Sequence, residues 1–146
     1  MALFMERKET LEQTRLDLLR ASIQGIVAVP GDAAYDPARM SWNLSFQHQP
    51  AVIVVAENAA DVVEAVRFAR AEGLEIAVQA TGHGVARAAE GNLLIVTAKM
   101  TGVRVDGAAQ TAYVEGGTKW GKVLELAQAE GLAPLLGSSP DVGVVK

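Results

Sequence analysis

The feature that most constrains this chain is a strand, helix and strand signal between Ala51 and Val78. Ala51-Val52-Ile53-Val54-Val55 is an unbroken apolar run dominated by β-branched residues. Such a run, lacking polar alternation, predicts a strand buried on both faces. Asn58 then stands where a helix N-cap belongs, Asp61 falls in the first turn near the positive helix end, and Gly73 supplies a left-handed stop. Between them, Val62, Val63, Val66 and Ala69 predict the apolar face of the helix. Leu74 to Val78 predicts a second strand. One helix joining two strands makes a right-handed crossover, so the two are expected as parallel neighbours.

The flanking segments extend this pattern. Leu11, Leu18, Leu19 and Ile23 recur at helical spacing, predicting an opening helix from about residue 10 to Gln24 that Gly25 can end. Ile26 to Val29 predicts a short strand closed by Pro30-Gly31, and Asp32 to Gln49 a loop with one helical turn. Leu93 to Ala98 predicts a third strand of the core. Val103 to Val105 and Thr111 to Glu115 predict a hairpin about the turn Asp106-Gly107. Thr118 is the expected cap of a last helix, with Trp120, Val123, Leu124 and Ala127 facing inward and Gly131 ending it. The expected class is α/β: a small, mainly parallel sheet with flanking helices, followed by an antiparallel hairpin that begins a second sheet.

Composition removes several functional classes. With 146 residues the chain can bury one core, which predicts one cooperative unit. A net charge of −4 with scattered basic residues argues against a nucleic-acid partner, whose phosphates need clustered Lys and Arg. The absence of cysteine excludes disulfides, thiolate metal sites and cysteine nucleophiles, and no metal site is expected. No apolar stretch approaches the ~18 residues of a spanning helix, and the first residues turn charged too early for a secretory signal. The simplest expectation is a cytoplasmic protein with no membrane partner.

The one loop suited to ligand chemistry follows the second strand: Gln79-Ala80-Thr81-Gly82-His83-Gly84-Val85-Ala86. Glycines there let backbone N–H groups approach a ligand closely, which suits a pyrophosphate. The dinucleotide-binding fingerprint is excluded, because that motif needs a helix starting inside the glycine loop. Here Glu90-Gly91-Asn92 interrupts the chain and Leu93 opens another strand.

Several segments, in order, resemble the FAD-binding domain of the vanillyl-alcohol oxidase and p-cresol methylhydroxylase superfamily, in its berberine-bridge-enzyme-like branch. They are Gln49-Pro50-Ala51-Val52-Ile53-Val54, Asp61 to Arg70, Thr81-Gly82-His83, Leu94 to Met100 with Gly102 to Asp106, and Glu115-Gly116-Gly117-Thr118-Lys119-Trp120-Gly121. The resemblance spans about residues 25 to 145, leaving 1 to 24 as a helical extension. It implies a partial FAD-binding domain over 25 to 146, the first of two lobes and the start of the second, truncated at its C-terminal end. It also implies that Ala80, Thr81, Gly82, His83, Gly84 and Val85 wrap the FAD pyrophosphate, with His83 where family members often tether the flavin 8α-methyl covalently.

The tail Gly137-Ser138-Ser139-Pro140-Asp141-Val142-Gly143 resembles the second flavin-contacting segment, which makes Gly137, Ser138, Ser139, Val142 and Gly143 cofactor candidates. Doubly tethered members carry cysteine where this chain has Ser139, so at most one covalent link is implied. Gln79 stands where many members have Arg, and Gly84 where they often have Ser or Asn. The implied parent is an FAD-linked oxidase of a small alcohol or sugar-like molecule with dioxygen as acceptor. The chain by itself is expected to be inactive, with no catalytic residue assigned, because substrate-positioning residues would follow it. An alternative of another class is an interaction module of the same fold that binds no flavin and meets a partner strand, the C-terminal remainder or a second copy of itself. Trp42, Trp120, Met40 and Met100 are expected as packing residues, His48 as an ordinary loop residue, and Arg67, Arg70 and Arg87 as solvated.

Overall fold

Four apolar runs assemble into one sheet in the computed structural model, which describes residues 13–135 and 137–145. They are β1 (Ile26–Ala28), β2 (Val52–Val55), β3 (Ile76–Gln79) and β4 (Leu93–Val96), in the order β1-β2-β4-β3. β1 is antiparallel to β2, while β4 runs parallel to both β2 and β3. The expected adjacency of β2 and β3 is therefore wrong: β4 lies between them. The burial of each strand explains the order. All four residues of β4 are buried, whereas Ile76 and Val78 of β3 are exposed, so β4 takes the interior and β3 the edge.

Strand alternation gives this sheet two apolar faces. Val52, Val54, Leu93 and Ile95 join one cluster with Leu19, Ala65, Ala69 and Met100. Ile53, Leu94 and Val96 join the other, with Ala28, Tyr35 and Ala89. The first face is covered by α1, helical over 13–22, and by α3 (Ala59–Glu72); the second by the short α2 (Tyr35–Arg39). Leu11 and the start of the opening helix lie outside the described residues. Leu18 of that helix is exposed and Leu19 carries its burial.

α3 begins as expected, with the Asn58 side chain accepting from Asp61 N–H at 3.0 Å, and ends at Gly73 with φ 67°. Its inward face meets the expectation at Ala69, which is buried, and at Val62, which packs against the core, but not at Val63 and Val66. Asp61, Ala65 and Ala69 are buried one turn apart, and Val63 and Val66 face solvent. Small residues at i, i+4 and i+8 let the helix lie close to the sheet, which outweighs the larger valines. Asp61 serves as a junction. Its carboxylate accepts from the backbone N–H of Gln24 at 2.9 Å, Gly25 at 3.0 Å and Glu57 at 2.9 Å. Burial alone would raise its pKa, but these donors and Asn58 together hold it below the usual carboxylate value.

Gly25 does not end α1, which stops three residues earlier and without a positive φ at Gly25. Its role is steric: a Cβ there would sit 1.9 Å from the Val55 carbonyl oxygen. The hairpin β5 (Val103–Asp106) and β6 (Thr111–Val114) forms as expected. Its connection is longer than Asp106-Gly107, spanning Gly107 to Gln110, and the left-handed residue is Gln110 at φ 53°. Asp106 accepts from Ala109 N–H at 2.9 Å and closes that loop.

The final helix, α4 (Trp120–Ala129), buries Val123 and Ala127. Thr118 does not cap it. Lys119 takes the cap position, Thr118 is fully buried, and its hydroxyl meets no partner among the described residues. The N–H groups of Trp120 and Gly121 are satisfied instead by the carbonyls of Val142 and Pro140, at 3.0 and 2.8 Å. That substitution fixes the tail against the helix start.

Candidate functional site

The carboxyl ends of the parallel strands β3 and β4 gather the segments singled out in the sequence, the place where open α/β sheets present ligand sites. β3 ends at Gln79 and leads directly into the glycine loop. Beyond the end of β4, Gly117 lies so close that a Cβ on it would stand 1.9 Å from the Thr97 carbonyl oxygen. The tail adds to this edge through a bridge between Lys119 and Gly143 and through Val144 N–H on the Thr118 carbonyl at 2.9 Å.

Two of the candidate clusters meet. Thr81 Oγ1 accepts from Gly143 N–H at 3.2 Å. A Cβ on Gly143 would come within 3.2 Å of the Ala80 Cβ. Val142 and Gly143 are buried at this junction. Gly137 lies instead by Trp120, where an added Cβ would stand 3.0 Å from the indole Nε1. Ser139 closes a turn by accepting from Val142 N–H at 3.2 Å, and Ser138 is exposed. No hydrogen bond among the described residues joins Gly137, Ser138 or Ser139 to the glycine loop.

Within the loop, Gly82 is the glycine that adopts a left-handed conformation, with φ 74°, and its missing side chain leaves room for Ser41 Cα and Trp42 N, each 2.8 Å from the Cβ position. Gly84 is exposed and has no positive φ, so the left-handed position of the loop is Gly82. Among the described residues, none of the backbone N–H groups of Thr81, Gly82, His83, Gly84 and Val85 donates to a protein acceptor. Consecutive N–H groups left for a ligand on a glycine-bearing turn form an anion-binding concavity. The donor set therefore fits a diphosphate. The basic side chain nearest in sequence, Arg87, is exposed and pairs with Glu75 at 3.6 Å.

His83 is held on two sides. Its Nδ1 lies 2.8 Å from Thr81 Oγ1. Its ring stacks on Trp42 with centroids 4.6 Å apart and planes inclined by 18°. Trp42 is not the packing residue expected: it is 68% exposed, and Met40 is exposed as well. Met100 does pack in the core.

His48 departs furthest from its expectation. It is 4% exposed. Its Nδ1 accepts from Ala89 N–H at 2.8 Å, so the proton resides on Nε2 and is donated to Gln79 Oε1 at 3.0 Å. Gln79 in turn donates to the Met40 carbonyl at 2.9 Å. The chain Ala89, His48, Gln79 and Met40 ties both ends of the glycine loop to the segment carrying Trp42. Sequence reasoning missed this role because a histidine in an aperiodic loop carries no signal of its buried partners. Among the described residues, no group of three His, Asp or Glu is placed to hold a metal ion, and no helix is long and apolar enough to cross a membrane.

Comparison with known proteins agrees with this arrangement. Residues 50–145 match a family described as an FAD binding domain. The chain is 33% identical over 124 residues to (R)-6-hydroxynicotine oxidase of Paenarthrobacter nicotinovorans, covering 84% of this chain and 27% of that protein. It is 37% identical over 101 residues to an FAD-linked oxidoreductase of Dictyostelium discoideum, covering 68% of this chain and 22% of the relative. Among solved structures, BBE-like 1 of Physcomitrella patens superposes with a TM-score of 0.75 at 28% identity, over 88% of this chain and 29% of its own. The chain thus spans between a fifth and a third of the length of these relatives.

Proposed function

The chain belongs to the FAD-binding domain family of the p-cresol-methylhydroxylase-type and BBE-like oxidoreductases, and from that premise we propose that it forms the first lobe of a flavin site, with the FAD pyrophosphate seated on the N–H groups of Thr81 to Val85. The observation that carries this reading is the row of N–H groups that meet no protein acceptor among the described residues, on a turn where Gly82 holds a positive φ. Backbone donors are set before binding and lose no side-chain entropy, which favours them over a lysine that would have to be ordered. Ala80, Val142 and Gly143 back the loop, and Thr81 connects the two segments. Gly137, Ser138 and Ser139 extend the proposed surface along the start of α4.

His83 is the residue of this chain suited to meet the flavin ring and to tether it. Its Nδ1 is engaged by Thr81, and Nε2 has no protein partner among the described residues. The flavin itself would supply the electron-accepting chemistry, while the residues described here bind and orient it. The protein carrying this lobe is proposed to oxidise a small alcohol or sugar-like molecule with dioxygen as acceptor, and no side chain described here is assigned to that chemistry.

A covering partner completes the proposal. An apolar groove of about 560 Å³ between the hairpin and α4 is lined by Val105, Val114, Trp120, Val123, Ala127 and Leu132. Leu135, which also lines it, is 95% exposed. Further polypeptide of the same protein or a second copy of the chain would cover this surface.

The test is FAD titration of the chain and of two variants, with folding checked by circular dichroism. Gly82→Val is expected to weaken binding more than Arg87→Ala, since a branched Cβ excludes positive φ and strikes Ser41. An equal or greater loss from Arg87→Ala would overturn the backbone-nest account.

A further inference from the structure

Trp42 presents a large exposed aromatic surface beside the glycine loop, and the stacked His83 imidazole covers only part of it. Its position is built from several directions. Gln79 holds the Met40 carbonyl at 2.9 Å, and the Ser41 hydroxyl donates to the Asn43 carbonyl at 2.7 Å, closing the turn that carries the indole. Gly82 leaves the space into which Ser41 and the Trp42 N–H fit. On the loop side, Thr81 fixes the Nδ1 edge of His83. An imidazole held by one edge and one face offers a ligand the other face and Nε2.

We propose that Trp42 is a positioning residue of the flavin site, an inference that rests on the flavin reading above. Its indole sets the plane of the His83 imidazole and extends beyond that smaller ring, so that a flat aromatic group meeting Nε2 finds a stacking surface already in place. The Met40, Gln79, His48 and Ala89 relay holds that surface to the loop, which accounts for a buried histidine and glutamine at the mouth of an otherwise glycine-built site. Stacking of this kind is worth roughly 2- to 12-fold in binding.

The experiment compares the chain with Trp42→Ala and Trp42→Phe by two readouts. Without flavin, the His83 ring protons, assigned by their loss in His83→Ala, are read by NMR. The indole ring current should shift them upfield, the alanine variant should abolish the shift, and the phenylalanine variant should keep most of it. With FAD, fluorescence titration should show the alanine variant weakened by roughly 3- to 10-fold and the phenylalanine variant within about twofold of the parent chain. Identical His83 ring shifts in the parent and alanine variant overturn the proposal. So does equal FAD affinity in the two. If the ring-current shift is present yet the protein carrying this lobe takes up no FAD, the flavin reading itself fails and this role falls with it, an outcome separate from failure at Trp42.

Discussion

The substitution Asp61→Asn probes the junction that sets the sheet, α1 and α3 relative to one another. The carboxylate is 2% exposed. It accepts from Gln24 through Oδ1 and from Gly25 and Glu57 through Oδ2. A carboxamide of the same shape keeps one oxygen, which can serve Gly25 and Glu57, but turns an NH2 toward the Gln24 N–H. One hydrogen bond to a charged acceptor is lost, about 1.5–3 kcal/mol. The two that remain become neutral bonds of roughly half the strength. Relief of the burial cost of the charge offsets part of this, leaving an expected net destabilisation of roughly 2–4 kcal/mol, a large share of a stability of about 5–15 kcal/mol. The effect has a pH signature. Because the folded carboxyl titrates below its ordinary value, its contribution is fully present above the unfolded value of about 4 and is lost as pH falls through the folded value. Urea unfolding of the parent chain and the D61N variant between neutral pH and about pH 3 should therefore show a gap that is full at neutral pH and narrows in acid. Asp17→Asn, at an exposed ion pair with Arg20, is the control and should move stability by about 0.5 kcal/mol or less. A D61N variant within about 0.5 kcal/mol of the parent at neutral pH, or a gap indifferent to pH, would refute the reasoning.

Two further substitutions examine the loop. Gly82→Ala should cost FAD affinity and about 1–2 kcal/mol of stability from its left-handed φ, with the contact against Ser41 adding to that, while Gly84→Ala should change little because Gly84 has no positive φ; equal losses in paired titrations and melts would show that both glycines are required. His83→Ala should leave the fold intact and abolish flavin that survives acid precipitation from the protein carrying this lobe, and a variant that still retains flavin through denaturation would place the attachment elsewhere.

The elements were legible where local chemistry decides them. The β-branched run at Val52–Val55, the Asn58 cap and the Gly73 stop are set by residues within a few positions of one another, and all three occur as read. Strand order was not legible, because it depends on how completely Leu93–Val96 is buried by two helical layers that are far apart in sequence. The inner face of α3 was legible at Val62 and Ala69 but not at Asp61 and Ala65, which close approach to the sheet favours over Val63 and Val66. At the site, the glycine loop and the tail were visible as composition and motif, and their meeting through Thr81 and Gly143 follows from the fold. Trp42, Gln79 and His48 were invisible as a group: each pairs with a residue more than 30 positions away, and single aromatic or polar residues in aperiodic segments carry no record of such partners.

The central claim, that the loop N–H groups seat the FAD pyrophosphate, is tested most directly by amide NMR of the chain during addition of FAD. The account predicts that the resonances of Thr81 to Val85 and of Gly143 move together, saturate, and become protected from hydrogen exchange. Shifts confined to the polar depression of Glu75, Arg87, Glu90 and Asn92, or none within Thr81 to Val85 while FAD binds, would contradict it.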